Sequence, residues 1–405
     1  MIAVVLAEAL WLARPPVQTR EFTAIENYLV QKLSHATNRE LGSAALILVQ
    51  NGESTATHQF GIADAATQAP VKLDQTLYQL ASVSKLVTAW GVMKLVEDGR
   101  LDLDAPVSRY LTRWHFPESE YRDKVTARHL LSHTAGLDDL FGYAGFLPGE
   151  KIQTLEESLT LTQDVTSGHP RGVKILREPG RNWLYSGGGY TVLQLLIEEI
   201  TCQSFNDYMA EFILHPLGME KSSFDWQAIA DSGRAEDLAT SFDENLKPTP
   251  LRRYTATAAA SLYATPQDMA RLLQAYTRQN PVLSKETLMQ MITPQPGAHQ
   301  DWGLGHTLYV DVANGSEGYV VGHDGGNLPA LGHTVRINPA TGNGLVLMVS
   351  GNINLSSALG DDWVAWETGK LTANARVRIL SDRLVPAIVA IVLGAIGIVF
   401  WKLIR

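Results

Sequence analysis

The sequence predicts an α+β fold: one antiparallel sheet built from both ends of the chain, flanked by helices, with a mainly helical lobe inserted. Three observations lead there. β-forming runs cluster early, in SAALILVQ and STATHQFGI, and again late, in LGHTLYVDV, YVVGH, GHTVRI and GLVLMVS. Between Thr76 and about Asn280 the apolar spacing is mostly helical, with loops rich in Gly, Pro, Asp and Ser. The 405 residues, 45% hydrophobic and 19% charged, give ample core for one large two-lobed domain or two smaller ones. Strands at both ends with helices between close most simply as a single sheet with its helices packed on it.

Taken in order, residues 1–20 form an apolar segment, MIAVVLAEALWLARPP at its start, with Glu8 inside it and no basic leader region. It reads either as the remnant of a longer leader or as a plain helix stopped by Pro15 and Pro16. A helical pattern follows from Phe22 to Leu33. Asn51-Gly52 then joins two β-prone runs as a favoured hairpin turn. Ser82 stands before LVTAWGVMKLVEDG, which has helical periodicity. Thr265-Pro266-Gln267-Asp268 supplies an N-cap, Pro at the first helical position and an acid in the first turn. A last helix is expected around Asp361 to Gly369. These elements define a domain over 21–372, with a sheet lobe from 21–61 and 300–372 and a helical lobe over 62–299.

Beyond a linker at 373–383, residues 384–401 read LVPAIVAIVLGAIGIVFW, without a charge. About 20 apolar residues cross a bilayer as a helix, and Gly394 and Gly397 suit a membrane span better than a soluble helix. A C-terminal membrane anchor is the expectation, with a buried core helix as the alternative. Arg376, Arg378 and Arg383 before the span and Lys402 and Arg405 after it leave the orientation open.

Lys and Arg total 33 against 42 Asp and Glu, a net charge of −9, and no basic run marks a nucleic-acid binder. One cysteine, Cys202, excludes an internal disulfide and a cysteine-based zinc site. It sits at a helix end and is expected as a buried or half-buried thiol.

Candidate chemistry lies in three places. Ser82-Val83-Ser84-Lys85 opens a helix, which puts Lys85 one turn on from Ser82 and on the same face. An amine there can take the hydroxyl proton, and the helix dipole favours the developing alkoxide. Read alone, the same residues are an N-capping serine followed by a solvated lysine. Tyr185-Ser186-Gly187 precedes the helix TVLQLLIEEI, so Tyr185 is a second proton carrier or a packed aromatic. His323-Asp324-Gly325-Gly326 ends a strand, where glycine N–H groups serve an oxyanion or merely a turn.

Together these residues resemble the serine β-lactamase and penicillin-recognising superfamily, in particular its class C branch of β-lactamases, DD-peptidases, D-aminopeptidases and esterases. That superfamily carries Ser-x-x-Lys, Tyr-x-Asn, and Lys-Thr-Gly or His-x-Gly in this order. VEDGRLDLDAPVSRYL, ARHLLSHTAGL, EPGRNWLYSGGGYTVLQLLIEEIT, HPLGMEKSSF, ASLYATPQDMARLL and GHDGGNLPALGHTVRINPATG extend the resemblance over about residues 22 to 370. It implies a β-lactamase/transpeptidase-like fold, with Ser82 as acylated nucleophile and Lys85 as its base or proton relay. Tyr185 would then pass the proton to the leaving group, and His323 would stand as the third motif's cation or hydrogen-bond donor. Ser82 and Gly326 would form the oxyanion hole through their backbone N–H groups, with Gly325 beside them. No cofactor is implied; the partner is a small-molecule or peptide substrate, and the exported habit of the family puts the catalytic part on the outer, periplasmic face of a bacterial membrane.

Two departures bear on substrate. Gly187 replaces the second motif's Asn and removes an amide that would hold a substrate acylamide. Asp324 replaces the third motif's hydroxyl residue, and facing the site it would repel a substrate carboxylate. Both argue against efficient β-lactam turnover and for an ester or a non-standard amide. An acylation-dead binding relative and a D-amino-acid peptidase, with Asp324 pairing a substrate ammonium, are the rival readings. His129 and His133 have zinc-like spacing, but Leu130 takes the place of a metalloprotease Glu and no third ligand is evident. Trp11, Trp90, Trp183, Trp302 and Trp363 fall in apolar runs and are expected in the core.

Overall fold

The computed structural model describes residues 16–37, 39–137, 143–165, 168–278, 280–298, 301–311, 318–328, 330–379 and 381. The apolar N-terminal run up to Pro15 and the expected membrane span at 384–401 lie outside the described residues. Among those described, no helix is long and apolar enough to cross a membrane. Chain contacts separate residues 29–360 from a smaller unit formed by the chain up to Tyr28 and from Asp361 onward.

After helix α1 (Phe22–Ala36) come strands β1 (Ser43–Gln50), β2 (Glu53–Asp64) and β3 (Ala69–Pro70). The late strands are β4 (Thr307–Asp311), β5 (Tyr319–Asn327), β6 (Leu331–Asn338) and β7 (Asn343–Ser350). They form one seven-stranded sheet in the order β3-β2-β1-β7-β6-β5-β4. Its two halves meet where β1 runs antiparallel to β7, from Ser43 opposite Ser350 to Val49 opposite Gly344. The remaining neighbours are antiparallel as well. The β1–β2 turn is the expected Asn-Gly pair, both residues left-handed at φ 51° and 78°.

Helix α2 (Val83–Glu97) is apolar on nearly all sides, and Val83 through Met93 and Leu95 are buried. Such a helix belongs inside a core, and its residues join one cluster with β1, β6, β7 and helix α4 (Gly187–Thr201). A short helix α3 (Ala127–Leu131) lies between them in sequence. Helix α5 (Pro266–Gln274) begins as its sequence demands, the Thr265 side chain accepting from the Asp268 N–H at 3.1 Å.

Helix α6 (Leu355–Thr368), which follows β7, starts earlier than the expected Asp361. In the smaller unit, Asp362 accepts from the Tyr28 hydroxyl at 2.7 Å and from Arg378 at 2.6 Å, and Phe22 packs edge-on to Trp366. Cys202 corrects its expectation: it is exposed, not buried. It caps the end of α4 at φ 57°, a left-handed place where glycine is the usual occupant, so its side chain is turned out of the helix.

Candidate active site

Three segments converge on the N-terminus of α2. The first is the turn before the helix. Ala81 is left-handed at φ 46°, a conformation a side chain resists, and it swings the chain so that Ser82 begins the helix with its own backbone already helical. A serine capping a helix is usually extended and accepts from an N–H in the first turn. Ser82 makes no such bond. Its Oγ instead lies 3.2 Å from Lys85 Nζ, which also donates to the Ala259 carbonyl at 2.8 Å. Lys85 is only 3% exposed, so the solvated-lysine reading fails.

The second segment is the loop into α4. Lys85 Nζ lies 5.0 Å from the centre of the Tyr185 ring and 5.7 Å from that of Tyr190, a packed aromatic seat for the amine. Ser186 caps α4 by accepting from the Gly189 N–H at 2.8 Å, which fixes the backbone one residue beyond Tyr185. At Gly187 a Cβ would come 2.8 Å from the Tyr143 ring. The space that a side chain at 187 would use is therefore filled by Tyr143, whose hydroxyl is tied to Thr191 Oγ1 at 2.7 Å.

The third segment is the end of β5. Pairing with β4 reaches only as far as Gly322, which lies opposite Thr307, so His323 to Asn327 leave β5 with an unpaired edge among the described residues. At Gly325 a Cβ would lie 2.3 Å from the Leu80 carbonyl oxygen, so only glycine lets the strand lie against the turn that carries Ser82. This contact brings Gly325 and Gly326 beside the nucleophile candidate.

His323 points to the same side as Gly325. It is 3% exposed, and its ring stands 6.3 Å from that of Tyr185 and 5.5 Å from that of Trp302. Burial, reinforced by the Lys85 charge, pushes its pKa down to about 4. Its Nδ1 lies 2.6 Å from the Asp324 carbonyl, which can only accept, so Nδ1 carries the proton and Nε2 presents a lone pair. Nε2 is buried without a partner. The expectation of a cation or donor at this atom is therefore corrected: His323 is neutral and offers an acceptor.

Asp324 is corrected too. Side chains alternate along a strand, so it faces the opposite side of the sheet from His323. There its carboxylate meets Arg336 Nη2 at 3.0 Å and accepts from the Thr334 hydroxyl, its cross-strand partner. Arg336 is fully buried, lies 3.8 Å from the Tyr309 ring centre and also donates to the Ser357 carbonyl. The carboxylate is thus directed to this pair, away from the side of the sheet that carries His323.

Sequence reasoning missed several neighbours. Trp302 is buried as expected while Trp183 is only half-buried, and both stand beside this site, their rings 6.1 and 6.3 Å from that of Tyr185. Trp90 and Trp363 are fully buried as expected, whereas Trp11 lies outside the described residues. His133 lies under Tyr185, ring centres 4.4 Å apart. The zinc-like spacing of His129 and His133 dissolves because α3 ends between them: His129 closes a capping box with Thr126, and His133 turns left-handed at φ 57°. The His-Thr-Ala-Gly run after the helix was the available signal for a special backbone there. The Ala259 carbonyl had none, being a backbone atom.

This geometry can be set beside known proteins. A family model described as Beta-lactamase matches residues 26–370. Penicillin-binding protein 4* of Bacillus subtilis is 31% identical over 181 residues, 44% of this chain and 37% of that protein. The putative penicillin-binding protein PbpX of the same organism is 26% identical over 277 residues, 68% of this chain and 64% of that one. The chain thus spans less than two thirds of the length of these curated relatives. Among solved structures, the octameric penicillin-binding protein homologue from Pyrococcus abyssi superposes with a TM-score of 0.67 at 25% identity, covering 86% of this chain and 77% of that one. The D-amino acid amidase from Ochrobactrum anthropi SV3 gives 0.64 at 22%, covering 85% and 98%, and EstCE1, a hydrolase with promiscuous acyltransferase activity, 0.63 at 19%, covering 88% and 98%; these two show the fold alone. With the family model covering most of its length, the chain belongs to the Beta-lactamase family.

Proposed function

We propose that this chain is a serine hydrolase that forms an acyl-enzyme at Ser82 on an ester or non-standard amide, in the manner of the class C branch. The observation that carries the reading is the buried Lys85 amine 3.2 Å from an uncapped Ser82 hydroxyl. Lys85, in its neutral form, takes the proton as Oγ attacks the acyl carbon. The bond to the leaving group then breaks as Tyr185 hands that group a proton and takes up the one held by Lys85, which returns both to their starting states; water repeats the sequence to release the acid. Ser82 and Gly326 N–H groups receive the oxyanion, an arrangement in which each donor contributes roughly 3 kcal/mol. His323 Nε2, which has no partner among the described residues, is left to accept a hydrogen bond from the substrate.

Against β-lactam turnover stands Gly187, whose absent amide is replaced by the Tyr143 ring. Asp324 no longer contributes to that argument, nor to a D-peptide preference. The test is p-nitrophenyl butyrate hydrolysis with intact-mass detection of the adduct. Turnover lost in Ser82→Ala, with the acyl group mapped to Ser82, supports the reading. A folded protein with neither turnover nor adduct refutes it, and hydrolysis of penicillin at rates normal for the family would refute the substrate class. We further propose that 384–401 tethers the enzyme, catalytic part outward. Protease added to intact spheroplasts should then cleave it, and full protection would overturn the orientation.

A further inference from the structure

His133 has a buried side chain, a strained backbone and no part in the reaction above. It is 1% exposed, left-handed at φ 57°, and its Nε2 has no hydrogen-bond partner. A residue with all three features is costly to keep unless something depends on it. What depends on it is the segment ahead of α4. The His133 carbonyl accepts from the Leu184 N–H at 2.8 Å, and its Nδ1 accepts from the Ser186 N–H at 3.1 Å. Between these two anchors lies Tyr185, whose ring rests on the imidazole at 4.4 Å, the planes 35° apart. Tyr190, Trp302 and Trp183 enclose the remaining sides, with centres 5.3, 4.9 and 6.2 Å away.

The tautomer follows from the bonds. Nδ1 accepts from an amide, so the proton sits on Nε2, the reverse of His323. Burial, with Lys85 and His323 facing it, holds His133 well below its ordinary pKa, so it adds no charge beside the Lys85 amine. Tyr185 thus sits beside two neutral imidazoles of opposite tautomer.

We infer that His133 is the positioning residue for Tyr185, fixing the phenol relative to Lys85 through its ring face, its Nδ1 and its carbonyl. The inference rests on the proposed role of Tyr185 as proton carrier. Asparagine tolerates the left-handed backbone and keeps an acceptor, so His133→Asn removes chiefly the ring.

The experiment is a double-mutant cycle on the full chain with p-nitrophenyl butyrate: wild type, His133→Asn, Tyr185→Phe and the pair, each with its melting temperature. The expected result is a fall in kcat of about tenfold or more in His133→Asn with KM within about twofold, and an altered pH profile of kcat/KM. In the Tyr185→Phe background the second change should cost nothing further, since there is no phenol left to hold. Full additivity, or an unchanged kcat in folded His133→Asn, overturns the inference. If His133→Asn does not fold, His133→Gln carries the same comparison. Wild type without Ser82-dependent turnover would overturn the underlying hydrolase reading instead, so the two failures are told apart.

Discussion

Two helices of 15 residues each begin behind a serine, and the two serines do opposite things. Ser186 is extended, at φ −135° and ψ 118°, and caps α4 by accepting from the Gly189 N–H. Ser82 is already helical, at φ −66° and ψ −12°, and leaves its helix uncapped. The same residue type is structural where its backbone lets Oγ turn over the helix end, and available for chemistry where it does not. The left-handed Ala81 sets the second case. A parallel contrast runs along β5: Asp324 is fully engaged by Arg336 and Thr334, while its neighbour His323 keeps a buried nitrogen unpaired. In both contrasts the satisfied polar group holds the fold, and the other lies at the candidate site.

The sharpest way to break this comparison is to remove each hydroxyl. Ser82→Ala is expected to lose at least ~10³-fold in esterase turnover while its denaturant midpoint stays put, because no cap is lost. A clear loss of stability would mean that Ser82 does cap its helix.

Acid addresses the buried imidazoles as a group. His133, His306, His323 and His333 are all pushed below the ordinary histidine value, burial being the main cause, the last three to about 4. At these four sites the folded chain therefore binds fewer protons than the unfolded one below pH 6.5. Their contribution is complete above that pH and is lost as pH falls toward 4, by up to about 1.4 kcal/mol at pH 5.5 for each of the last three. Urea midpoints measured from pH 7 to 4.5 should decline steadily below 6.5; a flat series would show these histidines to be charged in the fold.

Smaller still is the expected effect of Asp324→Asn. It strands a buried guanidinium and should cost roughly 3 kcal/mol of stability, with little change in kcat for a neutral ester. A gain in turnover without loss of stability would place Asp324 in the site after all. Last, Ser186→Ala should cost about 1 kcal/mol, seen as a lower melting temperature, with Ser82 still acylated in full.

Periodicity made the sheet legible, since each strand of the large sheet beyond the two-residue β3 coincides with an alternating or apolar run, and spacing alone paired Ser82 with Lys85. What stayed hidden was of another kind. The partner of Asp324 is Arg336, 12 residues away across a strand register that no local pattern reveals. Alternation could have shown that His323 and Asp324 face opposite ways, but not which face carried the site. Tyr143 fills the void at Gly187 from a distant loop, and the tautomers of His133 and His323 depend on backbone groups brought together only by folding.

The thiol of Cys202 has one further consequence. It is the single cysteine of the sequence, it is exposed, and it sits at the far end of the helix that begins just after Tyr185. A maleimide fluorophore or spin label would therefore attach at one defined atom without any engineering, and report on that helix as acylation proceeds at its opposite end.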